Sequence, residues 1–179
     1  IDAAEGPTDR DAAIAGEAEA AGCGVVIVVN KWDLMAERMG DDPQKFVTEY
    51  DDRLRFQLKF LEFAPVIHVS ALTGERTAKV LEMALKVADA RQHRVTTSDL
   101  NRFVEAVTTA NPPTSKHRRQ VRIMYASQIA TAPPRFVFFT NVATEFHFSY
   151  ERFLINQLRD KFGFLGTPIR ITVRRRKRK

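Results

Sequence analysis

VVIVVNKWDL, residues 25–34, decides how the rest of the chain is read. Five consecutive β-branched residues describe a strand buried on both faces, and an amide, an ammonium and a carboxylate follow at the point where the apolar run stops. In an open parallel α/β sheet the ligand crevice lies beyond the carboxyl ends of the strands. Asn30, Lys31 and Asp33 therefore stand where a binding site would form.

The pattern Asn-Lys-x-Asp suits a guanine base. The Asp33 carboxylate can accept from the ring N1–H and from the exocyclic amine, each charge-assisted bond contributing about 1.5–3 kcal/mol. Adenine lacks that pair of donors and would leave a desolvated carboxylate unpaired. Asn30 can fix the loop and meet the other edge of the base, while Lys31 can lay its methylene stem along the base face with its ammonium in water. A second loop, Ser70-Ala71-Leu72-Thr73-Gly74, follows the next apolar run, residues 65–69. There the Ala71 N–H is expected to aim at the guanine oxygen, and the small side chain allows close approach. The candidate ligand is the guanine end of GTP or GDP, and the candidate residues are Asn30, Lys31, Asp33, Ser70, Ala71 and Leu72.

The surrounding pattern agrees. Residues 11–21, rich in Ala and Glu, read as a helix closed by Gly22, and residues 43–62 place Phe46, Tyr50, Leu54, Leu58 and Leu61 at helical spacing. A helix over 77–91 follows the second strand. Strands alternating with helices predict a parallel sheet covered on both faces. After Arg91 the texture changes: helix-capping residues 96–99 precede a periodic segment 100–110, which Asn111-Pro112-Pro113 must end. Strand-like runs at 120–128 and 135–141, a helix over 150–162 and a strand over 168–173 complete an α-β-β-α-β order. That order predicts an α+β domain with a small, largely antiparallel sheet. The expected division is 1–92, 93–173 and a basic tail at 174–179.

Charge divides the chain at the same place. Residues 1–92 hold 11 Lys and Arg against 17 Asp and Glu, a net of −6, while residues 93–179 hold 17 against 5, a net of +12. The second half therefore faces a polyanion. Its candidate RNA-contacting residues are Lys116, Arg118, Arg119, Arg122, Arg170, Arg174, Arg175, Arg176, Lys177, Arg178 and Lys179. The aromatic clusters Phe136-Val137-Phe138-Phe139 and Phe146-His147-Phe148 read as core of a small sheet rather than as stacking platforms. Cys23, the one cysteine, excludes an internal disulfide and reads as a small buried thiol. The four histidines show no metal-ligand spacing. No apolar run approaches the roughly 20 residues of a membrane span, no leader pattern opens the chain, and the expected location is the cytoplasm. Ile1, inside what reads as the end of a strand, suggests a piece of a longer protein.

Asn30-Lys31-Trp32-Asp33 and Ser70-Ala71 resemble the guanine-specificity and base-contacting motifs of the translation-factor-related GTPases. The opening IDAAEGPTDRD and the segments Asp99-Leu100-Asn101, Ala132-Pro133-Pro134-Arg135-Phe136, Phe139-Thr140-Asn141, Ser149-Tyr150 and Phe164-Leu165-Gly166-Thr167-Pro168-Ile169 narrow the resemblance to the double-Era-like GTPases, the Der or EngA family. In that family two GTPase domains precede a KH-like domain, and the protein acts in assembly of the large ribosomal subunit. The resemblance implies a partial P-loop GTPase domain of three layers followed by a KH-like domain, with rRNA and the upstream GTPase domains as partners. It also implies Mg2+ in the parent protein. This chain contains no G-x-x-x-x-G-K-[ST] loop, so it holds neither the phosphate cradle nor the hydroxyl that ligates magnesium, and it is expected not to hydrolyse GTP alone. Gly163-Phe164-Leu165-Gly166 imitates the KH loop, yet the strand-like residues that follow leave no room for a second helix, so it reads as a helix cap and turn. Two alternatives stay open, a plain RNA-binding module and a regulatory module that docks on protein.

Overall fold

The computed structural model describes residues 1–113, 121–143 and 145–176. The chain divides into two units: Ile1–Asp89 with Leu165–Pro168, and Ala90–Phe164 with the residues from Ile169 onward. The fold class is α/β followed by α+β, as the residue pattern predicts.

In the first unit, helix α1 (Asp9–Ala20) opens with a reciprocal cap. Thr8 Oγ1 accepts the Asp11 N–H at 3.2 Å and Asp11 Oδ2 accepts the Thr8 N–H at 2.9 Å. Strand β1 (Ile27–Val29) runs parallel to β2 (Val66–His68), with Ile27 opposite Val66 and Val29 opposite His68. Both strands are shorter than the apolar runs that contain them. Asp42 caps helix α2 (Pro43–Gln57) by accepting the Lys45 N–H at 2.9 Å, and Pro43 occupies the first turn where its missing N–H costs nothing. The helical period expected to reach residue 62 breaks after Gln57. Leu58, at φ −108° and ψ 38°, turns the chain into a single 3-10 turn, Lys59–Leu61. The Arg55 guanidinium steadies that turn by donating to the carbonyls of Leu61 (2.9 Å) and Ala64 (2.7 Å). Leu54, Leu58 and Leu61 consequently all reach the core, where they meet Val29, Trp32 and Met35. Helix α3 (Thr77–Gln92) buries Val87. Cys23 is exposed, contrary to the expected buried thiol, because it lies in the turn behind α1, where its N–H donates to the Ala18 carbonyl.

Gly166 also belongs to the first unit. Its N–H donates to the Phe63 carbonyl at 3.0 Å and its carbonyl accepts the Val25 N–H at 2.7 Å. Gly163, at φ 86°, caps helix α5 (Phe148–Phe162), so the Gly-x-x-Gly string is a helix end and a turn.

The second unit contains α4 (Thr97–Ala110), β3 (Ile123–Ala130), β4 (Arg135–Thr140), α5 and β5 (Arg170–Arg175). The sheet order is β3-β4-β5. β3 and β4 form an antiparallel hairpin, but β4 and β5 are parallel, with Phe136 opposite Ile171 and Phe138 opposite Val173. The sheet is thus mixed rather than largely antiparallel. The α5 crossover returns the chain so that β5 runs in the direction of β4, which the order of elements alone does not specify. Leu100, Phe136, Phe138, Leu154, Leu158 and Phe164 fill the core. Asn101 of α4 serves the β3 edge like a further strand, accepting the Ala126 N–H at 2.8 Å and donating to its carbonyl at 3.0 Å.

Candidate functional site

β1 ends at Val29, which is completely buried, and the next residue is held by backbone on both sides. The Asn30 N–H donates to the Ile1 carbonyl and the Asn30 carbonyl accepts the Ala3 N–H, each at 2.8 Å. Lys31 then takes a left-handed conformation, φ 62°, a turn that costs a non-glycine residue about 1–2 kcal/mol and sets the direction of the 3-10 helix Trp32–Arg38. Trp32, the unspecified position of the motif, anchors it. Its N–H donates to the Val69 carbonyl at 3.0 Å, and its indole meets Tyr50 edge-on at 5.1 Å and His68 at 4.0 Å. The sequence pattern gave Trp32 no role; a large aromatic between two polar motif residues is the signal that it packs inward.

The second loop is a tight turn built on Ser70, which is fully buried. Ser70 Oγ accepts the Thr73 N–H at 3.1 Å and its carbonyl accepts the Gly74 N–H at 2.9 Å, with Gly74 at φ 81°. Leu72 stands 86% exposed at the loop tip. The two loops are joined by one side chain: Asn30 Oδ1 accepts the Ala71 N–H at 3.0 Å. That bond corrects the expectation that the Ala71 N–H aims at a ligand, because the donor is already taken. The Lys31 side chain stays exposed, and its ammonium also pairs with Asp2 Oδ2 at 2.5 Å; this pairing holds the Asp2 carboxyl below its ordinary range and raises the Lys31 ammonium above its own.

Asp33 Oδ1 is buried and has no hydrogen-bond partner in the protein. A buried carboxylate oxygen left unpaired costs roughly 1–3 kcal/mol or more, which marks Asp33 as a candidate acceptor for a donor that a ligand brings. A base edge carrying adjacent N–H groups supplies that donor, and Asp33 therefore fits guanine. The described residues include no G-x-x-x-x-G-K-[ST] loop, and no group of His, Cys, Asp and Glu among them is arranged to hold a metal. A cavity of about 400 Å³ lined by Ala3, Gly6, Arg38, Phe46, Tyr50 and Arg53 lies apart from these motif residues.

Among the basic candidates, Arg122, Arg174, Arg175 and Arg176 are exposed and Arg170 is half-buried. Lys116, Arg118, Arg119, Lys177, Arg178 and Lys179 lie outside the described residues. Phe136, Phe138 and Phe146 are core, as expected, but Phe139 and Phe148 are not: Phe148 is exposed at the start of α5, and the Phe139 ring stacks on Tyr125, centroids 4.3 Å apart and planes within 12°. The period of two along RFVFFT carries that distinction, since alternate residues of a strand face opposite sides. No helix among the described residues is long and apolar enough to cross a membrane.

Both halves of the chain match known protein families. Residues 1–90 match the elongation factor Tu GTP-binding domain, and residues 94–174 match the KH-domain-like region of EngA bacterial GTPase enzymes, C-terminal. The chain is 44% identical over 176 residues to the GTPase Der of Desulfitobacterium hafniense, an alignment covering 98% of this chain and 39% of that protein. It is 40% identical over 179 residues to the GTPase Der of Desulforamulus reducens, covering 100% and 40%, and 42% identical over 180 residues to that of Citrifermentans bemidjiense, again covering 100% and 40%. The chain thus spans about two-fifths of the length of these relatives.

Proposed function

The chain belongs to the Der/EngA family of GTPases, and from that premise we propose that it supplies guanine recognition and RNA contact to a cytoplasmic GTP-hydrolysing factor for assembly of the large ribosomal subunit. One observation carries the first half: the buried, unpartnered Asp33 Oδ1 beside a loop pair tied through Asn30 and Ala71. Asp33 takes the paired hydrogens of guanine, Lys31 and the exposed Leu72 flank the base, and the Ser70 turn holds Ala71 in place. Phosphates and Mg2+ are bound by residues that this chain does not contain, and when bound they supply the positioned charge that phosphoryl transfer requires. Residues 1–92 carry the guanine end, 93–173 form the KH-like domain, and the basic tail from 174 reinforces contact with rRNA. The upstream GTPase domains complete the site.

The test is a titration of the isotope-labelled 179-residue chain with guanosine and adenosine diphosphates, followed by amide NMR. Guanosine diphosphate is expected to shift residues 30–33 and 70–72 in the millimolar range, with adenosine diphosphate leaving them unmoved. Equal responses to the two nucleotides would overturn the assignment.

A further inference from the structure

We propose that the face of the β3-β4-β5 sheet turned away from Phe136 and Phe138 binds single-stranded RNA, with Tyr125 stacking a base and Arg174 and Arg176 holding the flanking phosphates. This rests on the reading of the basic unit as RNA-binding and locates its surface.

Three observations converge there. Register puts Tyr125 opposite Phe139 and Phe139 opposite Arg174, so two rings and a guanidinium follow one another across the three strands. The rings stack on each other, and the Arg176 guanidinium lies over the Tyr125 ring at 5.9 Å. Tyr125 nevertheless remains 37% exposed, beside Met124 at 46%. An accessible aromatic ring held by a neighbouring ring and a cation is an ordered platform, and ordering it beforehand lowers the entropic cost of binding a flat partner.

Charge selects the partner. By register the same face carries Arg135, Arg170 and Arg174 and no carboxylate. A face whose charges are all positive, set around the buried Val137 and an accessible aromatic ring, matches a chain of phosphates carrying planar bases. Duplex RNA does not suit it, because paired bases have both faces already stacked. The ordinary KH route is closed as well: Gly163 caps α5 and Phe164 is buried, so no Gly-x-x-Gly loop is presented to a backbone phosphate. Stacking tolerates any base, so sequence preference is expected to be weak.

The test uses the full chain, a fluorescein-labelled single-stranded U12 oligonucleotide and a 12-base-pair duplex RNA at low and moderate salt. Tyr125→Leu is expected to weaken U12 binding roughly 10-fold while leaving the duplex unchanged, with Tyr125→Phe retaining the wild-type affinity. Arg174→Ala should lower the salt dependence of U12 binding by about 0.7 in log-log slope, one phosphate contact on a single strand. Should Tyr125→Leu fold poorly, photo-crosslinking of the wild-type chain to a 4-thiouridine-substituted U12 decides, with adducts expected on Tyr125 or Phe139. Salt-sensitive binding that ignores Tyr125, with adducts confined to other surfaces, overturns the stacking proposal and leaves phosphate contact standing. Absence of binding to either RNA overturns the wider RNA reading together with it. Crosslinking from position 125 only to protein in a cell extract would instead make this face a docking surface and sink the proposal.

Discussion

Asn30 Oδ1 accepts the backbone N–H of Ala71 at 3.0 Å, a bond between residues 41 positions apart that makes the two motif loops one structure. Asn30→Ala removes this tie while leaving the backbone bonds of residue 30 to Ile1 and Ala3 in place. The expected cost in global stability is small, about 0.5–1.5 kcal/mol, because the bond is solvent-exposed. Amide exchange at Ala71 should nevertheless accelerate at least several-fold, while exchange at Gly74, donated to Ser70, stays slow. Unchanged protection at Ala71 would show that the Ser70 turn holds itself.

Asp33→Asn tests the base. An asparagine at this position keeps one acceptor and gains an amine, so it suits xanthine, which keeps the N1–H but carries a carbonyl where guanine has its amine. The substitution is expected to abolish the guanosine diphosphate response in the NMR titration and to create one for xanthosine diphosphate. Losing one charge-assisted bond corresponds to about 1.5–3 kcal/mol, roughly 10- to 150-fold in affinity. Retention of the guanine response in the variant would remove Asp33 from the site.

Tyr150 makes alkaline stability sensitive to one hydroxyl. The side chain is 8% exposed, its hydroxyl donates to the Asn111 carbonyl at 2.9 Å, and burial pushes its pKa up to about 12 from 10.0. A raised folded-state pKa means that the native form keeps its proton where the unfolded chain has lost it. The stabilisation is therefore fully present below pH 10 and lost as pH rises toward 12, at most about 1.4 kcal/mol per pH unit. Urea denaturation of the wild type at pH 9 and pH 11 should show this fall. Tyr150→Phe should be about 1 kcal/mol less stable at pH 9 and should flatten this part of the slope.

The legible and illegible parts of the molecule separate along physical lines. Leu54 and Leu154 sit in periodic apolar surroundings and Val29 closes a continuous apolar run, and burial follows both patterns directly. The α-β-β-α-β order is readable for the same reason. The direction of β5 is not, because it depends on where the α5 crossover returns the chain. Likewise the donor that Ala71 gives to Asn30, and the ammonium that Lys31 gives to Asp2, are tertiary choices among several partners of similar strength. Phe139 departs from the core for a different reason: a run of aromatic residues hides the period of two that sends it to the opposite face from Phe138.

Two glycines three residues apart should respond very differently to the same substitution. Both have positive φ, 86° at Gly163 and 63° at Gly166, so alanine at either meets backbone strain of about 1–2 kcal/mol. At Gly163 nothing lies within 4 Å of where a Cβ would stand. At Gly166 that atom would come within 2.4 Å of Val87 Cγ2 and 2.9 Å of the Val25 carbonyl oxygen, the second of which is backbone. Overpacking adds roughly 1–3 kcal/mol. Urea titration should therefore place Gly163→Ala about 1–2 kcal/mol below the wild type and Gly166→Ala about 2–5 kcal/mol below it. Because Gly163 is a helix cap rather than half of a phosphate-binding loop, Gly163→Ala should also leave U12 affinity within twofold of the wild type. A tenfold loss of RNA binding in that variant, with the fold intact, would restore the Gly-x-x-Gly string as a functional loop.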